Sequence, residues 1–168
     1  MLRSTVRQNP GVAAESAGLL LYRLRDGMPE VLLVHPGGPF WKRRDAGAWS
    51  IPKGEIENGE VAEDVARREF KEELGHDAPG VELVSIGTVR QAGGKLVHAW
   101  IARGDVDVDR IASMKFTMEW PPRSGRMQEF PEVDMARWFD LVTSRQKMVP
   151  AQTVFLDRLE EVLRKGGR

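Results

Sequence analysis

The stretch GEIENGEVAEDVARREFKEELG, residues 54–75, decides how this chain is read. From Glu55 to Asp77 it sets nine carboxylates against three bases, although the whole chain, with 25 acidic and 25 basic residues, has no formal net charge. Like charges at i,i+4 on a helix cost about 0.2–0.5 kcal/mol per pair, so a crowd of this kind needs something to offset it or must be a plain solvated face. The apolar residues Ala62, Val65, Ala66, Phe70 and Leu74 recur at helical steps, and Gly75 stands where a helix ends in a left-handed residue. The spacing therefore predicts a helix over about 60–74.

On that helix Glu69, Glu72 and Glu73 are related by i, i+3 and i+4 and share one face. Glu60 precedes Glu69 by about 900° of helical rotation and contributes only from the first turn or the loop before it. Arg68 has Asp64 and Glu72 four residues away on either side as pairing partners. Three glutamates on one face are more often solvated surface than site. Two features favour a site: only Arg68 and Lys71 lie near that face, and a Gly-bounded loop, Pro52–Gly59, precedes it. Oxygen-only donors suit hard cations such as Mg²⁺ or Mn²⁺, with substrate phosphates completing the shell and a remaining glutamate helping to deprotonate the attacking water.

Working outward, Ala17–Leu24 and Glu30–His35 read as strands joined by the Asp26-Gly27 turn, and Trp49–Ile51 as a third short strand ending at Pro52. Val81–Arg90 and Lys95–Ala102 form an expected hairpin around Gly93-Gly94; Met114–Trp120 and Ala136–Phe139 are further strand candidates, with Pro121–Arg126 an exposed loop. Val154–Leu163 reads as a closing amphipathic helix. Strands with two well-spaced helices predict an α/β domain with a mixed sheet.

Composition narrows the classes further. With 168 residues the chain is one domain's worth, and its zero net charge gives no reason to expect a stable nucleic-acid partner. It has no cysteine, which excludes disulfides and thiolate metal sites. No apolar run approaches a membrane span and the N-terminus lacks a secretory h-region, so residues 1–16 are expected to be a flexible leader, residues 17–168 the domain, and the cytoplasm the location.

Gly54, Glu60 and Arg68-Glu69-Phe70-Lys71-Glu72-Glu73-Leu74-Gly75, at their spacing, resemble the Nudix box, G-x5-E-x7-R-E-U-x-E-E-x-G-U, where U is a bulky apolar residue. Only the last position, His76, departs, and it touches packing behind the helix rather than the carboxylates. Trp49-Ser-Ile-Pro-Lys-Gly54, the Trp138-Phe139 strand and the closing helix extend the resemblance over roughly 17–163. It implies the Nudix α/β/α sandwich and metal-dependent hydrolysis of a nucleoside diphosphate derivative by water attack on phosphorus.

Carried over by position, the resemblance makes Glu72 and Glu73 metal ligands and Glu69 a ligand or the general base. Arg68 orients Glu69 or its neighbours, Gly54 gives a close backbone approach, the Lys53 carbonyl is a further ligand candidate, and Glu60 is a remote supporting acid. One more acid is expected from outside the box; Glu132, six residues before Trp138, is preferred over Glu129 and Glu119.

Lys53, the Lys42-Arg43-Arg44 cluster and the Arg123…Arg126 pair are candidates for phosphate contacts. Phe40, Trp41 and Trp120 are candidates for stacking a ring, against the commoner reading of aromatics as core. His35 and His98 read as structural. Subclass markers are thin: Gln91 and Ala92 stand where a proline or a tyrosine would mark ADP-ribose or diadenosine polyphosphate specificity. The wording from Pro52 to Glu60 is similar to that of hydrolases of diadenosine and other polyphosphates. The expected substrate is a nucleoside or dinucleoside polyphosphate, with ADP-ribose or a nucleotide sugar as the alternative. A non-catalytic nucleotide-binding regulatory module is the alternative of another class, disfavoured because the box carboxylates are kept. A homodimer is left open.

Overall fold

Ser16 to Leu21 are all buried, without the alternation of a half-exposed strand, so this segment lies inside a sheet covered on both faces. The computed structural model describes residues 14–80 and 82–166. The strand is β1 (Glu15–Arg25), followed by β2 (Met28–Pro36), β3 (Lys53–Glu55), the helix α1 (Ala62–Leu74), β4 (Val84–Arg90), β5 (Leu96–Arg103), β6 (Lys115–Glu119), β7 (Met127–Pro131), β8 (Val133–Asp140), α2 (Leu141–Lys147) and α3 (Thr153–Gly166).

The main sheet runs β4-β5-β1-β2-β8, with β3 pairing β1. β1 and β5 are parallel, and the other pairings are antiparallel, so the sheet is mixed. Successive β1 side chains point to opposite faces. Leu19 and Leu21 pack with Phe70 and Leu74 of α1, whereas Leu20 packs with Phe155, Leu156 and Leu159 of α3. The result is the expected α/β/α sandwich. Burying each of these large side chains contributes about 1.5–3 kcal/mol, which fixes the rotation of α1 and therefore the direction of its glutamates.

Three local expectations change. The segment Trp49–Ile51 makes only isolated bridges to Val34 and Met148, and the third strand lies beyond Pro52, at Lys53–Glu55, because that is the stretch that registers with Ser16–Gly18. A third helix, α2, is present; the Asp140 carboxylate accepts from the Thr143 N–H at its start. The region after Met114 is a two-stranded hairpin of β6 and β7, standing off the main sheet, rather than one strand. The expected leader lies outside the described residues except for its last positions, of which Glu15 and Ser16 already belong to β1. Val81, the first residue of the expected hairpin, is also outside them; the pairing starts later than expected, as β4 from Val84 and β5 from Leu96. No helix among the described residues is long and apolar enough to cross a membrane.

Gly75, at φ 75°, closes α1 in the left-handed conformation, its N–H bonding the Lys71 carbonyl. Leu74's carbonyl is capped by the Ala112 N–H, and His76 bonds the Arg110 carbonyl through Nε2 at 2.7 Å. A polar link thus stands where the box has an apolar residue, and it ties the helix end to the chain leading into β6.

Candidate active site

β3 pairs with the start of β1 and is thereby laid against the last turns of α1. At this contact Gly54 meets Glu69: a methyl group on Gly54 would lie 2.0 Å from the Glu69 carboxyl carbon. Glu69 is only 6% exposed, so its carboxylate is driven into the fold rather than into solvent. Burial raises its pKa, the Glu72 charge adds to this, and Arg68 opposes it.

Glu73, one position from Glu72 along the helix, lies beside the Lys53 backbone, while its Oε2 is buried and has no partner. Burial pushes its pKa well above the ordinary carboxylate value; Glu69 adds to the shift, and the Lys53 charge opposes it. Lys53 is itself lowered by burial and then by Lys95, against the pull of Glu73 and Glu69.

Arg68 is the organiser of the rim. Its guanidinium bonds Glu60, reaches Glu69 Oε1 at 3.4 Å and stands 3.8 Å from Glu72 Oε1. Glu60 sits in the loop before α1, its Oε1 taking the Glu57 N–H at 3.0 Å. That backbone bond, with Arg68, holds its carboxyl below the usual range. Arg68 thus takes its strongest partner from the loop rather than from Asp64.

Glu132, at the junction of β7 and β8, brings a third carboxylate: oxygens of Glu69, Glu73 and Glu132 all lie within 4.8 Å of one another. Glu72, expected among the ligands, has its carboxylate outside this trio, beside Arg68. Glu129 and Glu119 stand on the hairpin; Glu119 Oε1 takes the Gly125 N–H at 3.3 Å, and neither belongs to the trio. An all-carboxylate donor set with an unpartnered buried oxygen fits a hard divalent cation.

The chain that delivers Glu132 could not be read from the sequence. Met114 N–H bonds the Glu72 carbonyl at 2.9 Å, Glu132 N–H bonds the Met114 carbonyl at 2.8 Å, and Ser113 Oγ accepts the Val133 N–H at 2.9 Å. Lys95, whose charge bears on Lys53, was likewise not singled out; nothing in its local sequence marks it. Lys42, Arg43, Arg44, Arg123 and Arg126 are all exposed in loops, with Arg44 stacked over Trp41 at 5.4 Å. His35 is buried between Asp134 and the Arg44 carbonyl, and His98 lies beside Thr88 and Glu15.

Comparison with known proteins gives the family. An RNA pyrophosphohydrolase of Legionella pneumophila is 28% identical over 149 residues, 84% of this chain and 83% of the relative. The putative nudix hydrolase 1 of Caenorhabditis elegans is 36% identical over 81 residues, which span 48% of this chain but only 21% of that longer protein. Among solved structures, the C. elegans Ap4A hydrolase in a binary complex superposes with a TM-score of 0.66 at 22% identity, over 91% of this chain and 99% of that one. The NUDIX domain family model matches residues 14–159, and the chain belongs to the Nudix hydrolase family.

Proposed function

We propose that the chain is a divalent-metal-dependent pyrophosphohydrolase that cleaves a nucleoside polyphosphate or dinucleoside polyphosphate by attack of water on phosphorus. The observation that carries this reading is the convergence of Glu69, Glu73 and Glu132, with the buried Oε2 of Glu73 unpartnered. In this reading the three carboxylates hold Mg²⁺ or Mn²⁺. When bound, the ion supplies Lewis acidity toward the phosphate oxygens and offsets the mutual repulsion of its ligands.

The protein's own groups have separate tasks. Gly54 and Arg68 fix Glu69 from two sides, the first by contact and the second by charge. Glu73 lies against the Lys53 backbone, and the Lys53 charge opposes the rise of its pKa. Glu72, adjacent to the trio but outside it, takes the proton of the attacking water. The Lys53 amine, poised between Lys95 and the acids, meets a phosphate oxygen of the substrate. The relative named RNA pyrophosphohydrolase and the fold neighbour named Ap4A hydrolase support the choice of a polyphosphate substrate.

The test is hydrolysis of nucleoside triphosphates, dinucleoside polyphosphates, 5′-triphosphorylated RNA, ADP-ribose and nucleotide sugars with Mg²⁺ or Mn²⁺, paired with thermal shifts. Glu73→Gln should lose both turnover and metal-induced stabilisation, whereas Glu72→Gln should lose turnover and keep the stabilisation. Turnover by Glu73→Gln at the wild-type rate would overturn the assignment.

A further inference from the structure

β2 and β8 pair in register from Glu30 and Asp140 as far as His35 and Met135, and there the ladder slips. Pro36 stands opposite Val133, so Asp134 is one residue more than β2 can match. The slip is a β-bulge, and the burial of β8 records it. Val133 and Ala136 both enter the core that holds Phe70 and Leu74, although residues three apart in a regular strand face opposite ways. Past the bulge the ladder resumes, with the Gly37 N–H on the Glu132 carbonyl at 2.9 Å.

One side chain spans the bulge. His35 is 6% exposed; its Nδ1 lies 2.8 Å from Asp134 Oδ1 and its Nε2 2.6 Å from the Arg44 carbonyl oxygen, while its ring meets Trp49 edge-on at 5.2 Å. In a regular strand Asp134 would share the face of Ala136, toward α1. His35 shares the face of Val31 and Leu33, which pack in the core beneath α3. The contact between them therefore exists only because of the bulge, and it holds the extra residue on the His35 side. The Asp134 side chain is 34% exposed, so the contact adds little to the core itself.

Its consequence lies further along the chain. A slip of one residue exchanges the faces of every residue beyond it. Without the bulge Glu132 would take the core position of Val133; with it, Glu132 brings a carboxylate oxygen within 4.8 Å of those of Glu69 and Glu73. The neighbouring backbone leaves no slack, since a methyl on Gly37 would fall 1.9 Å from the Pro131 carbonyl oxygen.

We propose that His35 is a positioning residue: through Asp134 it locks the bulge that aims Glu132 at the carboxylate cluster. The inference rests on the hydrolase reading above, in which Glu132 holds the metal, and it gives a task in that reading to two residues that stand outside the trio.

The experiment reads Mn²⁺ affinity directly, from the electron paramagnetic resonance signal of the free ion, together with amide hydrogen exchange and Tm. Asp134→Ala keeps the extra residue and removes the lock. It should weaken Mn²⁺ binding by about tenfold, the scale on which supporting partners of metal ligands act. It should also lower the protection of the Gly37 amide while the amides of β1 and β5 stay protected, and change kcat less at saturating Mn²⁺. His35→Asn places an amide where Nδ1 stood and should retain most of the affinity, as should Asp134→Asn. His35→Gln, whose amide stands in for Nε2 and misses Asp134, should bind Mn²⁺ as weakly as Asp134→Ala. Asp45→Ala cuts the ties of the 37–48 loop to Trp49 and Lys147 and controls for plain destabilisation; its Mn²⁺ affinity should stay at the wild-type value.

Wild-type Mn²⁺ affinity in Asp134→Ala and His35→Gln, with a lowered Tm, would make the pair a stabilising contact alone and overturn the proposal. An equal loss of affinity in Asp45→Ala would trace the effect to general loosening and overturn it too. Glu132→Gln separates the two levels. If it weakens Mn²⁺ binding while Asp134→Ala does not, the metal reading stands and the positioning role falls; if it binds Mn²⁺ as tightly as the wild type, Glu132 leaves the metal site and both fall.

Discussion

Gly54 and Glu69 are held in contact so close that no other residue type fits the first position: an added Cβ would lie 2.0 Å from the Glu69 Cδ and 2.2 Å from its Oε2. The requirement is not one of backbone conformation, since Gly54 is absent from the glycines with positive φ. It is one of space, and it couples a strand of three residues to the aim of a carboxylate.

Gly54→Ala should therefore leave the sandwich folded and displace Glu69 from the trio. A misplacement on the order of 1 Å at such a site costs roughly 100-fold in rate. The expected result is a loss of that size in kcat, with unchanged circular dichroism. Near-wild-type turnover would separate Gly54 from the positioning of Glu69.

Arg68 and Glu60 should act as one unit, because the guanidinium that reaches Glu69 is itself held by Glu60. Arg68→Lys keeps the charge and loses the fork geometry. It is expected to reduce kcat by about tenfold, and Glu60→Gln by a similar amount, since different nitrogens of one guanidinium bridge Glu60 and Glu69. Combined, the two substitutions should cost little more than either alone. Fully additive losses would show that Glu60 acts independently of Arg68.

Much of this site was legible in the sequence because it is local. Glu69 and Glu73 share a face by helical spacing alone, and Gly75 marks the end of the helix by its conformation. Glu132 could be ranked ahead of Glu129 and Glu119 only by its spacing from Trp138, since its approach to Glu69 depends on bonds from Met114 and Ser113 that no periodicity records. The strand misplaced to Trp49–Ile51 has a clear cause. Trp49 and Ile51 are buried as core against His35, Phe139 and α3, while sheet pairing falls to the polar Lys53–Glu55. β7, Met-Gln-Glu-Phe-Pro, is exposed along most of its length and carries no burial pattern to detect.

The raised pKa values of Glu69 and Glu73 give a pH dependence whose sign is fixed. Both carboxyls keep protons in the folded chain at pH values where the unfolded chain, at the ordinary 4.5, has released them. Metal-free protein should lose stability as pH rises from that value through the raised ones, and lose no more from these groups above them. Bound Mg²⁺ or Mn²⁺ competes with those protons, so the gain in Tm on adding Mn²⁺ should be larger at about pH 8 than at about pH 5. Glu73→Gln should remove most of this difference and stabilise the metal-free protein by on the order of 1 kcal/mol. A metal effect that is flat with pH would place the ion elsewhere.

Ser113 tests whether Glu132 is positioned by the chain behind it. Its hydroxyl donates to the Met114 carbonyl and accepts the Val133 N–H, so it bridges the foot of β6 to the residue after Glu132. Ser113→Ala leaves the amide of the buried Val133 without that acceptor, at a cost of about 1–3 kcal/mol. The loosened segment should also raise the Mn²⁺ concentration needed for half-maximal activity, with a smaller change in kcat at saturating metal. Ser113→Thr, which keeps the hydroxyl, should restore metal affinity. If Ser113→Ala lowers Tm but leaves the metal dependence where it was, the bridge stabilises the hairpin without setting the reach of Glu132.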